Sequence, residues 1–161
     1  MSALERFLLI VGCAIVVASC GGGGGGGATS SSSISPTQYA NSQRDVGYLR
    51  AVNQITAAFN KAPANPTDYE TARRELRAAI HGLNSLSVPP VFVAAQAHLI
   101  SAFRADEALA PRFERAARAG DRVAQNNLEA QNIRDQTAMN NSLREMAKTY
   151  DKCRTSKFAA C

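Results

Sequence analysis

Residues 90–121 read PVFVAAQAHLISAFRADEALAPRFERAARAGD. Within them Phe92, Ala95, Leu99, Ala102, Leu109, Phe113 and Ala116 recur at steps of three, four and seven, which line one face of an α-helix. Pro90 suits a first helical turn, where no amide hydrogen is needed. Gly120-Asp121 joins a helix-ending glycine to an aspartate able to cap the next helix. The stretch therefore predicts one long helix from Pro90 to about Ala119. Pro111 is expected to kink it or divide it near Ala110.

Working outward, the same pattern repeats. After Asp121 a helix is expected to about Cys153, with Leu128, Met139, Leu143, Met146 and Tyr150 as its apolar positions. Upstream, Ser35-Pro36-Thr37-Gln38 is a capping box with proline at the first helical position. It opens a first helix whose apolar residues are Tyr39, Val46, Leu49, Val52, Ile55 and Phe59. Ala62-Pro63-Ala64-Asn65-Pro66 ends that helix. Thr67-Asp68-Tyr69-Glu70 is a second box, opening a helix carried by Tyr69, Ala72, Leu76, Ile80 and Leu83, and Ser87-Val88-Pro89-Pro90 closes it. Strand periodicity is missing and the connections are short, so the expectation is an all-α, up-down-up-down four-helix bundle over 36–161.

Composition agrees. The chain has 161 residues, 45% hydrophobic and 19% charged, with a net charge of +5. That is enough for one domain and too apolar for wholesale disorder. No apolar run reaches the roughly 18 residues of a membrane-spanning helix, which excludes a multi-pass protein.

The N-terminus reads as address and tether. Phe7 to Ala18 is an apolar run of twelve residues, the length of a secretory signal core. Val17-Ala18-Ser19-Cys20 follows, then seven glycines, Gly21 to Gly27, and the serines Ser30 to Ser33. The four residues ending at Cys20 resemble the lipobox of bacterial lipoproteins. That resemblance implies a signal peptide over 1–19, diacylation of Cys20, cleavage before it and acylation of its new amino group. Two acyl chains suffice for stable membrane anchoring where one does not. Residues 20–35 then form a flexible linker with a reach of about 20 Å. The implied location is the outer face of the cell membrane, or the outer membrane in a two-membrane host, since Gly21 rather than aspartate follows the lipidated cysteine. Leu83-Asn84-Ser85-Leu86, Pro89-Pro90 and His98-Leu99 are similar to a recurring unit in small uncharacterised helical-bundle lipoproteins of high-GC bacteria. The similarity implies a bundle and brings no activity with it.

Candidate chemistry is sparse. Pairing the third and fourth helices about Gly120 places Phe113 opposite Leu128, Ala102 opposite Met139 and Ala95 opposite Met146. Asp106 falls on the apolar stripe of the third helix and meets the polar stretch Gln131 to Gln136. A buried carboxylate needs a partner, and Arg134 is the expected one. His98 lies opposite Leu143 with Met139 and Met146 a turn to either side, a set able to hold haem or copper if buried, though helically spaced methionine is usually plain core. No Glu-x-x-His or Cys-x-x-Cys-His motif occurs. The sequence offers no nucleophile–base pair, so the reading is non-enzymatic and without cofactor.

Charge is more suggestive. Arg112, Arg115, Arg118 and Arg122 cluster where the third helix meets the fourth, at the bundle end expected to carry Lys61, Arg73 and Arg74. They mark a candidate patch for an anionic envelope polymer or lipid headgroup, or otherwise a solvated surface. An exported protein seldom meets nucleic acid. Cys153 and Cys161 remain after export and are expected to form a disulfide, the alternatives being free thiols or a bridge between two chains. Eight residues of unbroken helix would hold their Cα atoms about 12 Å apart, and a disulfide needs about 7 Å or less. A bridge therefore requires the fourth helix to end near Arg154 to Ser156. The resulting expectation is a lipid-anchored binding or scaffolding module acting on an envelope polymer or protein. The alternative is a ligand or metal/haem carrier with a pocket between the third and fourth helices near His98, Asp106 and Arg134.

Overall fold

Ser35 and Gln38 start the first helix by exchanging hydrogen bonds. Gln38 N donates to Ser35 Oγ at 3.2 Å, and Ser35 N donates to Gln38 Oε1 at 2.9 Å. This is the reciprocal capping box expected from the sequence. The computed structural model describes residues 35–61, 69–157 and Cys161, and its elements are four α-helices and one 3-10 turn. The helices are α1 Pro36–Lys61, α2 Tyr69–Asn84, α3 Val93–Arg118 and α4 Arg122–Thr155, with the turn at Pro90–Phe92 preceding α3. Thr67 and Asp68 of the second capping box, the expected helix break at Ala62 to Pro66, the lipobox, the tether before Ser35 and Phe158 lie outside the described residues.

The α3–α4 corner shows how two residues reverse a chain. Gly120 has φ +64°, the left-handed region that glycine enters without a Cβ clash. Gly120 N donates to Ala117 O, and Asp121 N donates back to Ala116 O at 3.0 Å. These are the two bonds of a Schellman motif. Asp121 then caps α4, its carboxylate accepting from Ala124 N at 2.9 Å. One aspartate thus finishes α3 and begins α4. Pro111 sits inside an unbroken α3, so the divided alternative is not taken. The first turn expected from Pro90 is 3-10 rather than α.

The four helices run alternately up and down, with α3 packed along both α2 and α4, and α1 lying against α2 and touching α4. At one end Tyr48 of α1 stacks on Phe92, their ring centroids 5.1 Å apart. The Tyr48 hydroxyl donates to Gln96 Oε1 at 2.7 Å, and Gln96 Nε2 donates to Leu83 O at 2.9 Å. This buried chain ties the start of α3 to α1 and to the end of α2. Towards the opposite end Phe59 meets Phe103 edge-on and Tyr69 stacks on Phe113. Large side chains thus bridge the α1–α3 diagonal. α1 and α2 come close at Gly82, where an added Cβ would stand 3.2 Å from Ile55.

The α3 stripe is buried throughout, as the spacing requires, and Ile100, Phe103 and Ala110 widen it toward α2 and α1. Each fully buried Leu or Phe contributes about 1.5–3 kcal/mol through apolar area removed from water. α1 departs from its sequence reading. Tyr39 is 61% exposed, while Asp45 and Tyr48 are buried. The buried face of α1 runs through Asp45, Tyr48, Leu49, Val52, Thr56 and Phe59. Tyr39 lies one heptad before Val46, which sits only at the edge of that face. Apolar spacing alone had rotated the stripe.

Candidate functional site

The α3–α4 seam carries a polar interruption in an otherwise apolar core. Asp106 is 2% exposed and its Oδ1 has no hydrogen-bond partner. Asp135 of α4 lies across from it, and the Oδ2 of Asp135 is likewise buried without a partner. Burial first, and the Asp135 charge second, push the Asp106 carboxyl up to about 8. Burial also raises Asp135, with the Arg134 charge partly opposing it.

The expected Asp106–Arg134 pair does not form. Arg134 is exposed and its Nε donates to Ala130 O at 3.2 Å, one turn back along its own helix. Successive helical residues point about 100° apart, so with Asp135 turned to the seam, Arg134 is turned away. The helix pairing was right; the choice of partner within the turn was not. Next to Asp135, Asn132 is 1% exposed and accepts a hydrogen bond from Gln136 Nε2 at 3.2 Å.

His98 is also corrected. Its side chain is 67% exposed, and Nδ1 lies 3.7 Å from Glu145 Oε2. Met139 and Met146 are fully buried, so imidazole and thioethers do not converge on one point. Among the described residues no group of three or more His, Cys, Asp or Glu is arranged to hold a metal ion. His98 instead lines one wall of an open groove of about 430 Å³ between α3 and α4, with Ser101, Ala105, Asp135, Ser142 and Glu145. Of the three expected pocket residues, His98 is on the groove, Asp106 lies behind it against Asp135, and Arg134 is outside.

A second groove, of about 450 Å³, opens at the α3–α4 corner. Arg112 and Arg115 line it above a floor that includes Ala116, Ala124 and Leu128, and Asp121 and Asn127 stand on the α4 side. The expected arginine cluster is thereby sorted. Arg118 binds Glu114 one turn away, and Arg122 is exposed outside the groove. Arg73 and Arg77 of α2 both pair with Glu107 of α3, at 3.3 and 2.7 Å, and Arg74 lies 3.8 Å from Glu75. The α2 arginines are engaged with acids, leaving Arg112 and Arg115 as the cations of the groove.

At the opposite end Cys153 and Cys161 stand at disulfide distance, their Cα atoms 5.8 Å apart. α4 ends at Thr155, and Lys157 turns the chain with φ +51°. The helix stops between the cysteines, as the bridge requires. Comparison of the chain with protein-family models, with curated proteins and with solved structures finds no match.

Proposed function

We propose that this chain is a lipid-anchored, non-enzymatic envelope protein whose bundle presents the Arg112–Arg115 groove to an anionic envelope polymer. The supporting observation is the placement of the two ends. α1 begins at Pro36, just after the expected tether, and the Cys153–Cys161 pair lies at that same end, where Arg44 of α1 reaches Cys161 O. The groove lies roughly 30 Å away along α3 from Val93. A domain attached near Ser35 through a flexible linker carries Arg112 and Arg115 at the end distant from its attachment, free to meet a polymer beyond the anchoring bilayer. That favours a polymer in the envelope over headgroups of the membrane that holds the anchor. Guanidinium forks suit carboxylate or phosphate groups, and the apolar floor accommodates the backbone of a polymer between its charges.

The test is binding of the soluble bundle to immobilised polygalacturonate at several salt concentrations. Binding that weakens with salt, and that falls at least tenfold in Arg112→Glu/Arg115→Glu, supports the reading. Binding indifferent to both salt and the substitutions refutes it.

A further inference from the structure

We propose that Asp106 and Asp135 hold one proton as a pair and so act as a latch on the α3–α4 seam, closed at neutral pH and released in alkali. The device depends on neither the lipid anchor nor the arginine groove. Its basis is register. Counting outward from the corner at Gly120, the pairing that sets buried Ala102 opposite buried Met139, and buried Ala95 opposite buried Met146, also sets Asp106 opposite Asp135. Each carboxyl has one buried oxygen without a hydrogen-bond partner, Oδ1 of Asp106 and Oδ2 of Asp135. Two ionised carboxylates there would be acceptors without a donor, and like charges in a setting that screens them poorly. One proton changes both terms. It removes a charge, and it turns one bare acceptor into an O–H donor for the other. Asp106 is the acid that keeps it, being 2% exposed and pushed up to about 8 by burial first and the Asp135 charge second.

Among the described residues no cation takes the place of that proton. On α4, Arg134 is turned outward, donates to Ala130 O and only partly opposes the rise at Asp135. On α3, Arg104 is exposed, Glu107 is held by Arg73 and Arg77 of α2, and His98 faces Glu145 farther along the groove. α1 meets α3 near this level through Phe59, edge-on to Phe103. Its Arg44 and Asp45 pair with each other, and its Arg50 is exposed. When the proton leaves, two facing charges occupy a seam otherwise built of Ala102, Leu109, Leu128 and Met139. Asp135 also forms part of the wall of the open α3–α4 groove, so water has a short way in. The two helices then part at mid-length, while the Gly120 corner keeps them joined.

The test is amide hydrogen exchange together with side-chain carboxyl carbon shifts, on the isotopically labelled full chain between pH 6 and pH 10. In the wild type, protection corrected for intrinsic exchange should fall about tenfold or more at residues 102–109 and 132–139 as Asp106 titrates, while α2 stays protected. Asp106→Asn carries a permanent N–H donor in place of the O–H, so its seam should stay protected throughout. In Asp135→Asn the Asp106 midpoint should drop by about one pH unit, because the facing charge is gone. An Asp106 already ionised at pH 6 in the wild type would overturn the proposal. So would an Asp106 midpoint unmoved in Asp135→Asn, or protection lost equally in the wild type and Asp106→Asn.

Discussion

The backbone oxygen of Cys161 accepts a hydrogen bond from Arg44 Nη2 at 3.2 Å. Two residues 117 positions apart thereby fasten the C-terminus to α1. Arg44 also donates through Nε to Asp45 Oδ1 at 3.0 Å, and Asp45 is fully buried. The cysteine pair holds Cys161 beside α4, so the bridge, the strap and a buried carboxylate form one connected clasp at the end of the bundle where α1 starts and α4 finishes.

Opening that clasp should loosen only this end. Closing so short a loop contributes at most about 2–3 kcal/mol on the chain-entropy model. Cys161→Ser should therefore lower the melting temperature by a few degrees and speed amide exchange in the last turns of α4 and around Arg44. Disulfide mapping under non-reducing digestion should return a Cys153–Cys161 peptide; two alkylatable thiols would contradict the clasp.

Asp106 makes stability depend on pH in the direction opposite to most acids. Its folded pKa lies above the unfolded value of 3.8. Its contribution is thus fully present below about pH 4 and is lost as pH rises through about 8. Asp106→Asn removes that loss. The variant should be more stable than the wild type above pH 8, by about 2–4 kcal/mol, with a flatter stability profile between pH 4 and 8. Urea melts across this range measure it.

The core assignment is tested by truncation. Leu99 is fully buried and Leu128 is 5% exposed. Leu99→Ala and Leu128→Ala should each cost about 2–5 kcal/mol, read by denaturant midpoint at constant slope. Losses under about half a kilocalorie would mean that α3 and α4 present other faces to each other.

The α3–α4 corner offers a conformational test. A Cβ on Gly120 meets nothing within 4 Å, so the cost of adding one is purely backbone. Gly120→Ala should destabilise by about 1 kcal/mol, and Gly120→Asn by less, because asparagine tolerates a positive φ better. Asp121→Ala should cost about 1 kcal/mol through the lost cap.

The helices of this bundle were legible because caps and periods agree. Ser35, Gly120 and Asp121 mark ends, and the α3 stripe marks a face. The α3–α4 pairing was legible too, since a tight corner at Gly120 leaves little freedom of register. What failed were choices that depend on rotation within a turn. Arg134 was selected over Asp135 because charge complementarity was assumed, yet the backbone aims the acid inward. Tyr39 was placed inside because an aromatic on helical spacing resembles core, while the buried Asp45 was overlooked because acids are rarely buried. His98, one step off the α3 stripe, lies on the α3–α4 groove and not in the core. The sequence located the two grooves only coarsely, through His98 and the Arg112–Arg115 pair, because their outlines arise where alanines of two helices meet beside longer polar side chains.

Metabolic labelling with an alkyne fatty acid tests the proposed lipid anchor at Cys20 most directly. The wild-type protein should take up label, and its mature N-terminal peptide should begin at a diacylated Cys20. Cys20→Ala should remain an unlabelled, unprocessed precursor. Labelling undiminished in Cys20→Ala, or a mature chain starting elsewhere, would contradict the account.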